Sequence, residues 1–273
     1  MRTLVHLSDL HFDHIDEALI APLMTVIGNV KPDVVVVSGD LTQRARTGQF
    51  KAARLFLDGL PRPQIIVPGN HDIPLHNVVS RFFRPLEKYR RYITNDLEPF
   101  YVDDEIAVLG INTARSLTIK NGRINAVQME HIRARFCTLE DRITRIIVTH
   151  HPFDLPSGFG DRNLVGRASI AMKTFAGCRI DLFLAGHLHA SHARSMSERY
   201  EIADFGAIAV QAGTATSTRG RGESNSFNIL RIVPGRVAIE RMSWMPSSGS
   251  FDCVSTETFE LSSKGWTNVK LCS

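Results

Sequence analysis

Val34-Val35-Val36-Val37-Ser38-Gly39-Asp40 is the stretch that decides how this chain folds. Four consecutive β-branched apolar residues read as a strand buried on both faces. The carboxylate that follows stands at the strand's carboxyl end, where open α/β sheets place their chemistry. A Gly-Asp turn also has an ordinary use as a helix cap, so one occurrence carries little. The same pattern, an apolar strand stopping abruptly at Asp, Asn or His, recurs four more times.

Toward the amino terminus, residues 3–7 predict a strand that breaks at Ser8-Asp9-Leu10-His11. Asp9 and His11 are two apart and leave an extended segment on one face, so a carboxylate and an imidazole can reach one ion. A capping Asp beside a surface His is the plain alternative. Residues 16–30 carry Leu19, Ile20, Leu23, Val26 and Ile27 at helical spacing and stop at Lys31-Pro32.

Beyond Asp40, Arg44 is either a phosphate contact or a solvated charge at the start of a helix over 47–57. A strand over 63–67 ends at Pro68-Gly69-Asn70-His71-Asp72. There the Asn70 carbonyl oxygen can bind a hard cation without adding charge, and His71 can donate a proton or hydrogen bond to a substrate oxygen. A Pro-Gly-Asn turn with no further role competes with that reading.

Residues 76–99 interleave Phe82, Phe83, Leu86, Tyr89 and Tyr92 with Arg81, Arg84, Lys88, Arg90 and Arg91. They read as a covering helix with its aromatics turned inward, in preference to a nucleic-acid face. A strand over 106–111 ends at Asn112-Thr113-Ala114-Arg115, where Arg115 is a second candidate phosphate contact, and a helix follows over 128–136. Strands over 146–149 and 182–185 run into His150-His151-Pro152 and Gly186-His187-Leu188-His189. Residues 154–169 and 214–226, the latter carrying Arg219 and Arg221, lack periodicity and read as long loops of the kind that cover sites. Residues 227–233 and 236–244 pair across Pro234-Gly235, and 251–273 add a strand and a tail. Trp266 either packs or serves an oligomer contact.

With 273 residues and 43% hydrophobic content, the chain can bury the core of one large α/β domain. The net charge of +4, from 32 Lys and Arg against 28 Asp and Glu, suits an anionic substrate, and no dense basic tract marks a nucleic-acid footprint. No apolar run approaches the roughly 20 residues that cross a bilayer. The start of the chain does not read as a signal peptide, so a soluble, cytoplasmic protein is expected. Cys137, Cys178, Cys253 and Cys272 are widely spaced and form no C-x-x-C pair. They suggest buried thiols in a reducing compartment, not a zinc knuckle or disulfide framework.

Asp9, His11, Asp40, Asn70, His150, His187 and His189 stand at five strand ends. Oxygen and nitrogen donors in that number, with no thiolate, exceed what one catalytic zinc uses. They suit a pair of borderline ions such as Mn, Fe or Zn with a bridging carboxylate. The order Asp-x-His, Gly-Asp, Gly-Asn-His-Asp, His, Gly-His-x-His closely resembles the calcineurin-like metallophosphoesterase superfamily, with all five blocks present between residues 9 and 189. The wording Ser8-Asp9-Leu10-His11 and Gly39-Asp40-Leu41-Thr42 resembles the bacterial class III cyclic nucleotide phosphodiesterases within it.

That resemblance implies an α+β fold, a four-layer αββα sandwich of two mixed sheets flanked by helices. Residues 1–245 would form the catalytic domain, with 246–273 packed on it. It implies one ion held by Asp9, His11, Asp40 and His189 and another by Asp40, Asn70, His150 and His187. Asp40 would bridge and His71 would face the substrate; Asn70, His71, His189, Arg44 and Arg115 would be the candidate substrate contacts, and His151 has no assigned role. The reaction implied is hydrolysis of a small phosphodiester, cyclic AMP above all, by a water acidified between two cations. A phosphomonoesterase, a nuclease or a nucleotide-lipid hydrolase would use the same site, and an interaction scaffold would have lost ligands. Relatives are often dimeric, so a homodimer is carried as an expectation.

Overall fold

Alternate side chains of a strand diverge, and the valine run shows the consequence. Val34 and Val36 pack with Leu4, Ile146, Val148 and Leu182 in a core between two sheets, whereas Val35 and Val37 pack with Leu23, Ile27, Phe50 and Leu57 beneath helices. The computed structural model describes residues 1–75, 77–118, 120–156, 158–202, 205–218 and 222–269. Arg219, Arg221 and Cys272 lie outside them.

The first sheet runs β13 (Gly265–Val269), β12 (Ser250–Ser262), β11 (Arg236–Met245), β10 (Ser226–Val233), β1 (Arg2–Leu7), β2 (Val34–Val37) and β3 (Gln64–Ile66) in spatial order. The second runs β4 (Phe100–Val102), β5 (Ile106–Gly110), β6 (Thr144–Val148), β7 (Leu182–Ala185), β9 (Ile208–Gln211) and β8 (His192–Ser195). Each contains a parallel block beside antiparallel strands: β1, β2 and β3 at one edge of the first, and β5, β6, β7 and β9 in the middle of the second.

Outside the first sheet lie α1 (Ile20–Val30), α2 (Thr47–Asp58) and α4 (Glu87–Tyr92), which bury Leu23, Phe50 and Tyr89 against it. Outside the second lie α5 (Ala126–Phe136) and α6 (Ala168–Gly177), which bury Phe136 and Phe175. The architecture is therefore the four-layer sandwich of two mixed sheets flanked by helices. Local signals set the ends of these helices. Lys31 leaves α1 in the left-handed conformation just before Pro32. Asn125 caps α5, its Oδ1 accepting from Gln128 N at 2.9 Å while Gln128 Oε1 accepts from Asn125 N at 3.2 Å.

Four features depart from the sequence reading. The covering helix over 76–99 is two short helices, α3 (Val78–Phe83) and α4, broken near Pro85. Its aromatics do not all turn inward: Tyr89 is fully buried, but Phe82 and Phe83 are 49% and 81% exposed, because α3 stands off the sheet. The edge or short strands β4, β8 and β9 were not read, since runs of three or four residues offer no period to detect. Residues 250–269 form a hairpin, not a single strand, and Trp266 is buried in the inter-sheet core with Nε1 donating to Asp181 Oδ1 at 2.9 Å.

The cysteine expectation also needs correction. Cys137 and Cys178 form a disulfide, with Cα atoms 4.4 Å apart. They are the C-cap residues of α5 and α6. Helices of successive right-handed crossovers run parallel on one face, so their ends are neighbours although 41 residues separate them. Cysteine usage thus gives no support to a reducing compartment, and only Cys253 is a free thiol among the described residues. No described helix is long and apolar enough to cross a membrane.

Candidate metal centre

The turns that follow β1, β2, β3, β6 and β7 meet at one edge of the sandwich, and backbone bonds lock them in pairs beyond the strands. Asp9 N donates to Gly39 O at 3.1 Å and His11 N to Asp40 O at 2.9 Å, while Gly186 N donates to His150 O at 3.1 Å. Loop 214–217 supports the first turn from behind, where Thr214 Oγ1 donates to Asp9 O at 2.7 Å and Thr216 Oγ1 to Leu10 O at 3.0 Å.

These turns are tight. Asp9, His11, Asp40, His187 and His189 all take positive φ, between 50° and 73°, although none is glycine. Backbone in that region costs about 1–3 kcal/mol per residue and persists where surroundings over-determine it, which is usual at functional sites. Two glycines make room for it. A Cβ on Gly69 would lie 2.1 Å from Asp40 Oδ1, and one on Gly186 would lie 1.8 Å from Ser8 Oγ.

The seven predicted donors converge in two groups. In the first, His189 Nε2 lies 3.2 Å from Asp9 Oδ1, and His11 Nε2 lies 3.5 Å from Asp9 Oδ1, 3.3 Å from His189 Nε2 and 3.8 Å from Asp40 Oδ2. In the second, His150 Nε2 lies 3.4 Å from Asp40 Oδ2, 3.1 Å from Asn70 Oδ1 and 3.3 Å from His187 Nδ1, which is itself 3.1 Å from Asn70 Oδ1. Ligand atoms about 2.0–2.2 Å from a shared ion at near-tetrahedral or octahedral angles stand roughly 3.0–3.5 Å apart, so most of these spacings suit coordination. Asp40 Oδ2 is the atom common to both groups.

Hydrogen bonding agrees with that use. His150 Nδ1 donates to Ser38 O at 2.8 Å, which leaves the Nε2 lone pair facing the donor group. Asp9 Oδ2 accepts from Ser8 Oγ at 2.7 Å and His187 N at 2.9 Å. Its other oxygen, Oδ1, is buried and, among the described residues, meets only the ring nitrogens of His189 and His11, at 3.2 and 3.5 Å. A buried carboxylate oxygen left in that state is costly unless a cation meets it.

The electrostatics point the same way. Burial alone would raise Asp9 and Asp40, yet the histidines around them hold both well below the usual carboxylate range. Burial would depress His150, but the Asp40 carboxylate beside it overrides this and lifts it to about 9. His187, 3.3 Å away, is pushed down to about 3 by burial and then by His150. The cluster demands positive charge at its centre and cannot spread it over every ring.

The remaining candidates separate. His71 N donates to Asp40 Oδ1 at 2.8 Å and its Nδ1 donates to Gln43 O at 2.9 Å, which turns Nε2 toward the centre, 4.0 Å from Asp40 Oδ2. His151 is fully engaged, with Nε2 donating to Lys120 O and Nδ1 on Thr113 Oγ1, each at 2.8 Å, and burial holds it well below its ordinary value. Arg44 lines an adjoining cavity of about 190 Å³ with His71 and Lys120. Arg115 is not brought to the centre: its guanidinium donates to Asn112 O, Ala114 O and Gln128 Oε1 beside a separate cavity.

Sequence reasoning missed Asp72. It is buried, accepts from Leu41 N, Thr42 N and Gly69 N at 2.9–3.2 Å, and so ties the Asp40 turn to the Asn70 turn. Burial, then Asp40, raises it to about 6. Its place in Asn70-His71-Asp72 was visible, but nothing local showed which backbone groups it would reach. The outer wall of the central cavity, of about 590 Å³, takes Phe159, Arg162 and Asn163 from the 154–169 loop that was read as covering a site, whereas Lys120 and Asn121 were missed; together they face Asp40, Asn70, His71, His187 and His189.

Comparison with known proteins accords with this geometry. A glycerophosphodiester phosphodiesterase, GpdQ, of Enterobacter lignolyticus is 35% identical over 80 residues, covering 25% of this chain and 29% of its own length. A probable cyclic nucleotide phosphodiesterase of Ruthia magnifica is 25% identical over 132 residues, covering 41% of this chain and 56% of its own length. The chain thus spans between 29% and 56% of the length of these relatives. Among solved structures, a dimetal phosphatase from Danio rerio superposes with a TM-score of 0.66 at 14% identity, covering 96% of this chain and 99% of that one, which shows a shared fold. The calcineurin-like phosphoesterase family model matches residues 2–191, and the chain belongs to that family.

Proposed function

We propose that the chain is a dinuclear metal-dependent phosphodiesterase acting on small phosphodiesters, with 3′,5′-cyclic nucleotides such as cyclic AMP the first substrates to assay. The observation that carries this reading is Asp40 Oδ2, placed 3.8 Å from His11 Nε2 in one donor group and 3.4 Å from His150 Nε2 in the other. One carboxylate oxygen between two sets of donors is what a bridging ligand requires. Asp9, His11 and His189 complete one set, and Asn70, His150 and His187 the other. Two ions of the Mn, Fe or Zn type held there would polarise phosphoryl oxygens and bring the pKa of a water toward neutrality.

The protein's own contribution is position and charge. Asp40 sets the separation of the two groups, and the Gln43 carbonyl fixes the His71 ring so that its Nε2 can give a proton to a departing oxygen. Asn70 supplies a neutral oxygen, which keeps the second group from accumulating negative charge that would repel a phosphate. The donor set is complete, which favours an enzyme over a scaffold that has kept only the fold.

The test is turnover of cyclic AMP, bis-p-nitrophenyl phosphate and p-nitrophenyl phosphate by protein loaded with Mn²⁺ or Zn²⁺. Faster hydrolysis of the diesters supports the proposal. A marked preference for the monoester would reassign the chain as a phosphomonoesterase, and no turnover with no bound metal would make it a scaffold.

A further inference from the structure

The cavity wall facing the metal donors has an unusual charge. Among its described residues it holds Lys120 and Arg162 with Asn121 and Asn163, and no carboxylate; Asp40, a donor, is the only acid that lines the cavity. Neither Lys120 nor Arg162 makes an ion pair with a described acid. The nearest acid in sequence, Asp161, is drawn away to Arg199, 2.8 Å from its Nη1. Arg199 in turn shares Asp154 with Arg194, whose Nη2 donates to it at 2.8 Å.

Asp154 is 2% exposed, and the two arginines hold its carboxyl below the usual range against the effect of burial. Tyr200 Oη bonds Phe153 O at 2.6 Å and Gln211 Nε2 bonds Asp154 O at 2.8 Å. Residues 158–163 are therefore the far side of a loop whose root is pinned by an ion triad centred on the buried Asp154. The same triad takes up the loop's acid and leaves its base on the cavity.

Charge balance gives this a meaning. Two divalent ions, if held by the Asp9 and Asp40 carboxylates with a water-derived hydroxide, would leave one positive charge, which the single negative charge of a phosphodiester would cancel. Lys120 and Arg162 are surplus to that need. From this, and resting on the phosphodiesterase reading above, we propose that Lys120 and Arg162 form a subsite for a second phosphate group. The preferred substrate would then be a nucleotide phosphodiester that also carries a phosphomonoester. Arg162 presents the planar fork suited to a terminal phosphate, and Lys120 a point charge beside it. Phe159 lies on the same wall, where its ring can pack against the nucleoside between the two phosphates. Asp154 is a positioning residue that acts through the loop.

The experiment compares the dinucleotide ApA with pApA, the same diester bearing a 5′-terminal phosphate, using the metal-loaded full chain. Wild type is expected to favour pApA in kcat/KM by about ten-fold, the scale of two solvent-accessible charged contacts. Lys120→Ala with Arg162→Ala, both exposed side chains, is expected to bring the ratio near one. Asp154→Asn is expected to raise KM for pApA more than it lowers kcat.

Equal turnover of the two dinucleotides by wild type, or a preference that survives the double substitution, overturns the proposal. If bis-p-nitrophenyl phosphate is not hydrolysed, the phosphodiesterase reading fails separately. The subsite is then judged by calorimetry of adenosine 3′,5′-bisphosphate against adenosine 3′-monophosphate. A roughly ten-fold tighter bisphosphate that loses its margin in the double variant upholds it, and equal affinities reject it.

Discussion

The two walls of the central cavity are built in opposite ways. On the donor side Asp9, His11, Asp40 and His150 are buried, and five of the seven donors sit on left-handed backbone. On the facing side Lys120, Gly158, Gly160 and Arg162 are exposed and belong to loops. The contrast shows where strain is concentrated: seven atoms must meet at fixed spacings, so the backbone is forced and the sheets beneath hold it. The facing wall needs only to present charge and shape, and loops do that at little structural cost. On the proposed function, one side would serve any phosphoester, whereas the other would distinguish among them.

This contrast can be broken most severely at Asp40. Asp40→Ala is expected to lower diester turnover by about 1000-fold or more, since both donor groups lose their shared oxygen. Retention of full activity by a metal-replete variant would refute the bridging role. His71→Asn is the next largest change, with kcat expected to fall about 100-fold while the metal content measured by elemental analysis stays at the wild-type level. Loss of metal in that variant would instead make His71 a ligand.

Asp72→Ala tests whether donor-side rigidity is held from behind. With the tie between the Asp40 and Asn70 turns gone, metal affinity is expected to drop about ten-fold or more in a chelator competition. Unchanged affinity would mean that the turns keep their shape unaided.

A region remote from both walls sharpens the comparison by separating stability from activity. Asp181 accepts from Trp266 Nε1 and Arg145 N in the seam between the sheets, and burial lifts its carboxyl to about 6. Because the folded form holds its proton more tightly than the unfolded form, its contribution is complete below about pH 4 and is lost as pH rises through about 6. Over that window wild type is expected to lose about 3 kcal/mol relative to Asp181→Asn in denaturant titrations, with no change in metal content. Parallel stability profiles for the two proteins would show that the carboxyl titrates normally.

The parts legible in the sequence were those with a short-range signature. The valine run and its counterparts announce buried strands, and the donors follow at the strand ends in fixed local patterns. Partners distant in sequence left no such mark. The Cys137 and Cys178 disulfide depends on two crossover helices ending side by side, and Asp72 on which turn lies next to its own. The inward reading of Phe82 and Phe83 assumed one continuous helix, whereas the break near Pro85 frees α3 from the face that α4 buries. Lys120 and Arg162 lie in segments without periodicity, where surface cations are the ordinary expectation, and only the cavity they share sets them apart.

The central claim is that seven side chains hold a pair of ions around Asp40. It is tested most directly by titrating metal-free protein with Mn²⁺ or Zn²⁺ and counting the equivalents bound by calorimetry. The account predicts two equivalents per chain for wild type and loss of high-affinity binding in Asp40→Ala. A single equivalent unaffected by that substitution, or none in wild type, would contradict it.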